Sequence, residues 1–546
     1  MNTKILKLHP RDTVFVALTP LPEGCECGEG IKTREAIPQK HKLAAQDHQK
    51  EDLVVMYGVV VGKLRSFVPK GGLLTTENLE HAVEGYGSQS QKSEWTAPNF
   101  EKFRDSTFLG YHREDGKVGT ANHWLVVPLV FCENQNIDAL KDSLLHELGY
   151  APENHRRAWV SELVQEYQSQ GTTPDHLGEP IKKNAGSSKE RVFPNIDGIR
   201  FLNHEGGCGG ANSDSLSLVH LLAGYIVHPN CAGATILSLG CQKAESQTLL
   251  EQIKIRCPEF NRPLVLLEQQ SEPSEEEMLQ KAILETFRGM TKANQISRAP
   301  APLSKITMGV ECGASDGFSG ISSNPVIGAV SDLLAGLQGT PVLSEFPELC
   351  GVEQNLINRC ENPQIAKRFQ DLMDLYESKA NAQGDSFSDN PSPGNIREGL
   401  ITDAIKSAGA AKKGGDSPVT DVLDYTQPIT KSGLNLLNTP GNDVESTTAL
   451  VGSGANAVLF STGLGTPTGN PLVPVLKISS NSDIAQNMSD IIDFDAGSVI
   501  SGEKSIAELA ENLLSLLIEI ASGKTQAKAE INQHYEFIPW KRGLSL

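Results

Sequence analysis

One stretch of the sequence decides the fold class: Glu311-Cys312-Gly313-Ala314-Ser315-Asp316-Gly317-Phe318-Ser319-Gly320-Ile321-Ser322-Ser323-Asn324-Pro325, which directly follows the apolar run 306–310. A strand that ends in a Gly-rich polar turn places side chains at the carboxyl end of a sheet, where open α/β folds bind their ligands. A purely structural alternative is a tight strand-to-helix turn, in which glycines supply positive φ and Asp316 and Ser319 cap the next helix. Because similar strand exits recur along the chain, we interpret the stretch as an active-site loop in an α/β domain.

The sequence on both sides of this loop alternates strand-like and helix-like segments. Apolar runs typical of buried strands occur at 124–131, 234–239, 263–267, 306–310, 341–343, 457–460 and 473–476. An apolar stripe of helical period follows at 137–148. Near the C-terminus, Ser505 and Glu508 form a capping box that predicts a helix ending at Gly523. This alternation predicts βα units.

The N-terminal part of the sequence has a different pattern. Short β-rich runs at 13–18, 53–63 and 71–74 are separated by turns, with no long helical period. The Ala/Pro/Ser-rich segment 297–302 interrupts the α/β part and indicates a second boundary. We therefore predict an α/β multidomain protein, in which a small N-terminal β-rich domain is followed by two α/β domains. The predicted division is 1–82 for the β-rich domain, 83–103 for a linker, 104–296 for the second domain and 303–546 for the third.

Composition narrows the classes of function. With 48 Lys and Arg against 67 Asp and Glu, the formal net charge is −19, which disfavours binding to nucleic acid or to an anionic membrane surface. No apolar run reaches the ~20 residues of a membrane span, and the first residues lack the apolar core of a signal peptide. Ten cysteines in 546 residues are too sparse for a disulfide scaffold. We expect a cytoplasmic enzyme that takes a small molecule.

Cysteine and histidine residues beside glycines are the first candidates for chemistry. Cys208, Cys241 and Cys312 each adjoin a glycine, and thiolates bind iron or zinc, so a shared metal or Fe–S site is one alternative. The other is that each is a small buried apolar residue. His204 lies in a loop with a carboxylate and a thiol. The sequence supports a metal-binding or acid–base role for it as well as it supports a structural role. His9 is ambiguous in the same way.

Carboxylates and hydroxyls follow other predicted strands. Glu345 and Glu348 come directly after the run 341–343, where they could hold a divalent metal or divide acid and base roles. The loop 461–470, rich in Gly, Ser and Thr, predicts a cradle for an anion or a polyol. The segment 452–457 matches G-x-G-x-x-A, but the strand-like run comes after it rather than before, so we reject a dinucleotide site.

Taken together, these loops resemble the altronate/galactarate dehydratase family over nearly the whole chain. The resemblance rests on 8–12 (LHPRD), 40–42 (KHK), 110–120 (GYHREDGKVGT), 205–209 (EGGCG), 311–325, 345–348 (EFPE), 390–395 (NPSPGN), 434–443 and 461–469. It implies an N-terminal SAF-type β domain fused to two catalytic-region domains. It also implies dehydration of a sugar acid with Fe(II), or alternatively Mn(II), as the metal.

Within that family the C-terminal segments look most like altronate dehydratases, which implies conversion of D-altronate to 2-dehydro-3-deoxy-D-gluconate plus water. Two positions depart from the family pattern, because Ala121 stands where many relatives have Arg and Gln242 where they have Glu. The segment near Ala404 and Ala410 also lacks a Glu and a Cys-Thr pair. The alternatives are therefore a galactarate or other aldonate dehydratase, a lyase like sulfolactate sulfo-lyase, and a sugar-acid-binding protein without activity.

The resemblance and the residues together give a hypothesis for the site. The predicted catalytic residues are His204, Cys312, Asp316, Ser315 and Glu345. The predicted substrate contacts are Ser319, Asn324, Asn395, Asn442, Asp443, Thr462 and Thr466. The predicted metal ligands are drawn from His9, His41, Glu345, Glu348 and Cys312. We expect a homo-oligomer, a dimer, that binds a small sugar-acid substrate and neither nucleic acid nor a membrane.

Overall fold

The structure is a computed structural model, which describes residues 4–89, 93–151, 155–171 and 190–543. Of the predicted linker, residues 90–92 lie outside the described residues. The N-terminal strands are β1 (Ile5–Leu6), β2 (Val14–Ala17), β3 (Glu26–Gly28), β4 (Ile31–Lys32), β5 (Lys42–Ala44), β6 (Leu53–Met56), β7 (Val59–Leu64) and β8 (Leu79–Glu80). They form two three-stranded sheets, β1-β2-β5 and β6-β7-β8, and the hairpin β3-β4. The region is β-rich, as predicted.

The apolar run 53–63 is two strands rather than one. Tyr57 and Gly58 separate β6 from β7, and both have positive φ, at 57° and 77°. Two consecutive residues with positive φ make a hairpin turn whose twist matches that of the flanking strands. The turn therefore folds the run back on itself and pairs β6 with β7 in antiparallel register.

The middle of the chain forms a parallel sheet covered by helices. Its elements are β9 (Thr107–His112), β10 (Val118–Gly119), β11 (His123–Pro128), α1 (Asn134–Glu147), α2 (His155–Gln170), β12 (Gly198–Phe201), α3 (Asn212–Val227), β13 (Cys231–Ser238), α4 (Ser246–Arg256), β14 (Leu264–Glu268) and α5 (Glu275–Ala293). The sheet has four strands in the order β12-β11-β13-β14, all parallel. Ile137, Leu140 and Leu144 of α1 are buried, which confirms the predicted stripe.

The segment predicted as a domain boundary is a strand. Residues Ala299–Pro302 form β15 and pair antiparallel with β9, next to β10 in a small three-stranded sheet. Just before it, Arg298 donates to the carbonyl oxygens of Leu109, Thr120 and Ala521. Pro300 and Pro302 read as loop residues in the sequence, but a short edge strand tolerates proline.

The C-terminal part builds the largest sheet. Its elements are β16 (Thr307–Cys312), α6 (Ser323–Gly336), β17 (Thr340–Leu343), α7 (Glu353–Arg359), α8 (Pro363–Gln383), α9 (Pro393–Arg397), α10 (Asp403–Ala410), β18 (Val419–Leu423), β19 (Leu434–Leu437), α11 (Asp443–Ser453), β20 (Ala457–Thr462), β21 (Val475–Ser479), α12 (Ser482–Asn487), β22 (Phe494–Asp495), α13 (Ser498–Ser501), α14 (Ile506–Ala521) and α15 (Lys528–Ile531). The seven strands are parallel in the order β18-β19-β17-β16-β20-β21-β22. The predicted α/β architecture is therefore confirmed in both later regions.

The C-terminal region also contains the predicted capped helix and a point at which the strand order reverses. Helix α14 begins after Ser505, whose capping box with Glu508 is present as predicted. The sheet grows from β16 to β17 in one direction and from β20 to β22 in the other, so its order reverses between β16 and β20. Open parallel sheets bind ligands at such a reversal point, outside the carboxyl ends of the strands. Among the described helices, none is both long and apolar enough to cross a membrane.

Candidate active site

The loops that leave the seven-stranded sheet at its reversal point bring a buried polar cluster together. Cys312 is the last residue of β16, and Glu345 and Glu348 follow β17. Lys413 comes from the short 3₁₀ turn after α10. These four residues, here called the thiol–carboxylate cluster, are each at most 3% exposed. Charged side chains are seldom fully buried without a reason. The burial of these four polar groups in one place therefore points to a chemical role.

Short contacts connect the cluster. The Sγ atom of Cys312 is 3.3 Å from Oε2 of Glu348 and 3.7 Å from Oε2 of Glu345. The ammonium of Lys413 lies 2.6 Å from Sγ of Cys312 and 2.7 Å from Oε2 of Glu345. Lys413 therefore donates to the thiol and to one carboxylate at once.

The pKa values within the cluster diverge. Burial would raise the pKa of Glu345, but the charges of Lys413 and Lys406 and the contacts with Lys413 and Glu311 together outweigh it and hold that pKa below its ordinary value. Burial lowers the pKa of Lys413, but the neighbouring Cys312 and Glu345 more than reverse this and raise it well above its usual range. Burial and the charge of Glu345 raise the pKa of Cys312 well above that of a free thiol. The cluster thus holds an ionised Glu345–Lys413 pair beside a neutral thiol.

A protonated carboxyl group lies under this pair. Burial and the charge of Glu345 raise the pKa of Glu311 well above its usual range. Its Oε2 accepts hydrogen bonds from the hydroxyls of Ser446, at 2.6 Å, and Ser344, at 3.2 Å. The Oε1 atoms of Glu311 and Glu345 have no hydrogen-bond partner among the described residues, but the two carboxyl groups are close enough to shift each other's pKa. Glu311 is therefore held neutral beside an ionised Glu345, as one of two adjacent carboxyl groups is when only one can ionise.

The rim of the cluster is formed by two groups that reach solvent. Lys406, on α10, is 12% exposed, and its ammonium lies 2.7 Å from Oε1 of Glu348. It also donates to Oδ1 of Asn390 at 2.7 Å. Asp443, the first residue of α11, is partly exposed. Burial and then the charges of Glu345 and Glu348 raise its pKa to about 7. A cation and a carboxyl that titrates near neutrality therefore face the solvent side of the cluster.

The backbone at the cluster is strained in two places. Glu345 has a φ of 63°, in the left-handed region that costs a residue with a side chain roughly 1–2 kcal/mol. Its N–H donates to Oγ1 of Thr439 at 2.8 Å, which holds this conformation. Ala314, in the loop after Cys312, also has positive φ, at 50°. A Cβ on neighbouring Gly313 would overlap the carboxylate of Asp443, so this glycine gives Asp443 its place beside the loop.

The donor atoms fit the divalent metal that the resemblance implies. A sulfur from Cys312 and oxygens from Glu345 and Glu348 all lie within 4.8 Å of one another. Together they form a set that suits Fe(II) or Mn(II) in donor type. The orphaned Oε1 of Glu345 is a further free acceptor. The ammonium of Lys413 uses the same lone pairs, so an ion and this ammonium compete for the cluster.

Asp316 organises a second polar group, next to the β-rich region. Its Oδ1 accepts from the hydroxyls of Ser319, at 2.9 Å, and Ser480, at 2.8 Å. Its Oδ2 lies 2.9 Å from the ammonium of Lys40, which comes from the KHK segment. Lys40 also contacts Glu398 at 2.5 Å. Asp316 therefore connects the N-terminal region to the loop after β16, Ser319 supports its carboxylate, and the roles of both toward substrate stay predictions.

The other predicted substrate contacts lie on the loops around the same edge of the sheet. Asn395 donates to the carbonyl oxygen of Ser315 at 2.9 Å, and Asn324 donates to that of Gly409 at 3.0 Å. Asn442 caps α11 by accepting from Val444 and Glu445. Thr462 accepts from the N–H of Gly465, and the hydroxyls of Thr466 and Thr468 lie 3.0 Å apart. These bonds shape the loops, and substrate contact by these residues remains a prediction.

His9 and His41 lie apart from the thiol–carboxylate cluster. Nδ1 of His9 accepts from the N–H of Arg11, and its ring packs on Gly58, where a Cβ would collide with it. Nδ1 of His41 is 3.1 Å from the carbonyl of Gln39. In the described part of the chain, neither histidine belongs to a group of three or more metal donors within 4.8 Å. Their role as metal ligands stays a prediction.

His204 has the geometry of a structural histidine. Its Nε2 donates to the carbonyl of Pro128 at 2.8 Å, and its Nδ1 accepts from the N–H of Gly206 at 3.1 Å. Burial lowers its pKa to about 4. The loop that holds it lines a cavity of about 470 Å³, which is closed on the other side by the C-terminal tail at 537–541 and includes none of the thiol–carboxylate cluster. Catalysis by His204 stays a prediction with no support from these contacts.

The three cysteines beside glycines do not share a site. Cys208 and Cys241 are exposed, whereas Cys312 is buried. Within the described ranges, the donor groups suited to a metal include Cys312 but neither of the others.

Sequence reasoning missed the two lysines of the site. Lys406 and Lys413 follow no predicted strand, and they reach the cluster from α10 and the turn after it. One signal was present, because Lys412-Lys413-Gly414-Gly415 places two cations before a glycine with positive φ, at 65° for Gly415. Such a turn, within an Ala-rich segment that lacks the expected Glu, indicates a charged side chain directed inward.

Family comparisons cover nearly the whole chain. The model of the D-galactarate/altronate dehydratase C-terminal domain matches residues 303–545. The model of the D-galactarate dehydratase/altronate hydrolase second domain matches 110–294, and that of the altronate/galactarate dehydratase SAF domain matches 3–82.

Full-length relatives agree with these matches. The chain is 30% identical to altronate dehydratase from Escherichia coli (strain K12) over 548 residues, which is 99% of each chain. It is 30% identical to altronate dehydratase from Bacillus subtilis (strain 168) over 551 residues, again 99% of each. Galactarate dehydratase (L-threo-forming) from Escherichia coli (strain K12) is 29% identical over 526 residues, or 95% of this chain and 93% of the relative. The chain therefore belongs to the altronate/galactarate dehydratase family of hydro-lyases.

Proposed function

We propose that this enzyme dehydrates D-altronate to 2-dehydro-3-deoxy-D-gluconate. The observation that carries the proposal is the buried thiol–carboxylate cluster at the reversal point of the sheet, with Lys406 and Asp443 at its rim. Elimination of water from an aldonate requires a base at C2, an acid at the C3 hydroxyl and positive charge near the carboxylate. The full-length similarity to altronate dehydratases supports this choice of sugar acid.

Asp443 takes the proton from C2. It is the partly exposed carboxyl at the rim, and Gly313 leaves it room beside the loop after β16. As the C2–H bond breaks, its electron pair forms the C2–C3 double bond and the C3–O bond cleaves. Asp443 then returns its proton to C3 as the enol becomes the 2-keto acid.

Lys406 protonates the departing hydroxide. Its ammonium is solvent-accessible and is held by Glu348 and Asn390 at 2.7 Å each, which keeps it charged and oriented. It loses one proton to form water and recovers one from the enol hydroxyl, so the protons balance. Glu345 and Lys413 lie deeper and keep the floor of the site polar and fixed.

The proposed metal is Fe(II), with Mn(II) as the alternative. Cys312, Glu345 and Glu348 would hold it, since their donors lie within 4.8 Å of one another. When bound, the ion supplies Lewis-acid stabilisation of the substrate carboxylate. We also propose a cytoplasmic homodimer.

An anaerobic assay tests this function. The full-length protein is incubated with D-altronate or D-galactarate, with and without Fe(II) or Mn(II), and 2-keto-3-deoxy acid is measured. We expect metal-dependent product from D-altronate. Product from D-galactarate alone would transfer the proposal to that substrate, and no product from either would reject it.

A further inference from the structure

A second group of potential metal ligands lies behind the active site. His81 directly follows β8, Cys350 follows the turn that carries Glu348, and Asp403 begins α10. One donor atom from each, the imidazole nitrogen, the thiol sulfur and a carboxylate oxygen, lies within 4.8 Å of the other two. Cys350 and Asp403 are 6% and 1% exposed. The function proposed above uses none of the three residues.

Two of these donors lack a hydrogen-bond partner among the described residues. Oδ2 of Asp403 and Nδ1 of His81 are buried atoms without a hydrogen bond, and they face each other at 4.0 Å. A buried polar atom without a hydrogen-bond partner lowers the stability of the fold by roughly 1–3 kcal/mol. Two such atoms next to each other therefore suggest a ligand that binds both. Two ligands of a tetrahedral zinc ion lie roughly 3.3–3.8 Å apart, so the His81–Asp403 pair would have to contract by only a few tenths of an ångström to hold one.

We propose that His81, Cys350 and Asp403 bind a divalent metal ion of the zinc class. One nitrogen, one sulfur and one oxygen donor form a set that zinc accepts and that calcium and magnesium do not. Binding exchanges the thiol proton of Cys350 for the ion, and the proton leaves to solvent. A cavity of about 360 Å³, lined by Arg65, His81 and Asp403 among others, gives water access to the fourth position.

The ion would connect the N-terminal region to the active site. His81 belongs to the end of the β-rich region, whereas the other two ligands belong to the C-terminal region. Cys350 lies two residues after Glu348, and Asp403 lies three residues before Lys406 on α10. The metal therefore fixes both segments whose side chains form the Glu348–Lys406 ion pair. The binding site itself does not depend on the function proposed above.

Cobalt substitution tests the proposal on the full-length protein. The protein is stripped of metal with a chelator and titrated anaerobically with Co(II), and the thiolate-to-Co(II) absorption band is recorded. Zn(II) affinity is then measured by competition. Because Cys312 would give a thiolate band of its own, the variants are made in a Cys312→Ser background. There we expect Cys350→Ser to lose the remaining band and Zn(II) affinity to fall by roughly 100-fold or more, since loss of supporting contacts alone costs 10–100-fold. Asp403→Asn should weaken Zn(II) binding similarly.

Matched variants make the result decisive. Cys360→Ser changes another buried cysteine of the same region, whose Sγ contacts the carbonyl of Leu356, and it should bind Co(II) like the wild type. Cys312→Ser alone should keep the part of the band that comes from Cys350, and His81→Gln and Cys360→Ser are measured in that background. If Cys350→Ser does not fold, His81→Gln decides, because that side chain is 29% exposed and tolerates change. In this variant, Zn(II) should no longer raise the melting temperature. A band lost entirely in Cys312→Ser alone, or unchanged Zn(II) stabilisation in His81→Gln, would overturn the proposal.

Discussion

The two parallel sheets share an architecture but differ at their carboxyl ends. In the seven-stranded sheet, Cys312, Glu345 and the incoming Lys413 form a charged, buried cluster. In the four-stranded sheet, Gln242 holds the loop after β13 through neutral hydrogen bonds. Nε2 of Gln242 donates to Oγ of Ser238 there, and its Oε1 accepts from Gly240. Both sheets have such an edge, but the ionised cluster lies at the edge of the larger sheet, which is why we propose that the chemistry occurs there.

The largest effect should come from Glu345→Gln. The substitution leaves the buried ammonium of Lys413 without its carboxylate, which costs roughly 3–5 kcal/mol of stability, and turnover should be abolished. The matched control at the other sheet is Glu133→Gln. The carboxylate of Glu133 accepts from the amide of Asn136 rather than from an ammonium, so a neutral amide there leaves no buried cation unpaired. Melting temperature and turnover of both variants check this, and equal losses in the two would remove the distinction between the sheets.

Asp443→Asn should lower turnover by roughly 100-fold or more, the usual contribution of a general base. Because Asp443 must be ionised to accept the C2 proton, activity should be present above pH ~7 and fall as pH drops through its pKa of about 7. The variant should lose that dependence. Initial rates at acidic, neutral and alkaline pH measure it, with Glu445→Gln, two positions along the same helix, as the control. A full acid limb in Asp443→Asn would exclude Asp443 as the base.

Lys477→Met should stabilise the protein. Lys477 on β21 is buried, its Nζ has no hydrogen-bond partner among the described residues, and burial lowers its pKa to about 7. The unfolded chain binds a proton between pH ~7 and the usual lysine pKa while the folded chain does not, so wild-type stability rises with pH across that window. The variant should gain roughly 1–3 kcal/mol, most below pH ~7, and show a flatter profile. Thermal melts on the acidic and alkaline sides of neutrality test this, and a gain that is larger at alkaline pH would contradict it.

Lys413→Met should raise the affinity of the thiol–carboxylate cluster for Mn(II) by roughly tenfold, because the competing ammonium is gone. Binding is measured by titration of the metal-free protein. Lys412→Met is the control, since the neighbouring side chain makes none of the cluster contacts described above. Unchanged affinity in Lys413→Met would place the catalytic metal elsewhere.

The smallest effect on turnover should come from His204→Gln in the four-stranded region. The variant breaks bonds to Pro128 and Gly206, so it should cost about 1 kcal/mol of stability and leave turnover within a few-fold of the wild type. Steady-state kinetics of the variant and the wild type measure this turnover. A loss comparable to that of Asp443→Asn would restore the predicted catalytic role of His204.

The strand-exit pattern located part of the site from sequence. Cys312 and Glu345 each leave a predicted strand, and parallel strands bring their carboxyl ends to one edge. Lys413 could not be found that way, because it lies in a turn far along the chain from Cys312. Hydrophobic periodicity does not predict which distant turns contact each other in the fold. The same limit explains the hairpin in 53–63, where a local turn at Tyr57 and Gly58 overrides a continuous apolar run.

The short strand β15 changes how this molecule can move. A stretch of alanines and prolines between two catalytic regions would ordinarily act as a hinge, yet Ala299–Pro302 is paired residue by residue with β9 and is anchored by Arg298. The strand pairing and these hydrogen bonds hold the two regions together, so the segment does not act as a flexible linker. Rotation of one region against the other would have to break this pairing, so we expect substrate entry to depend on movement of the loops around the site.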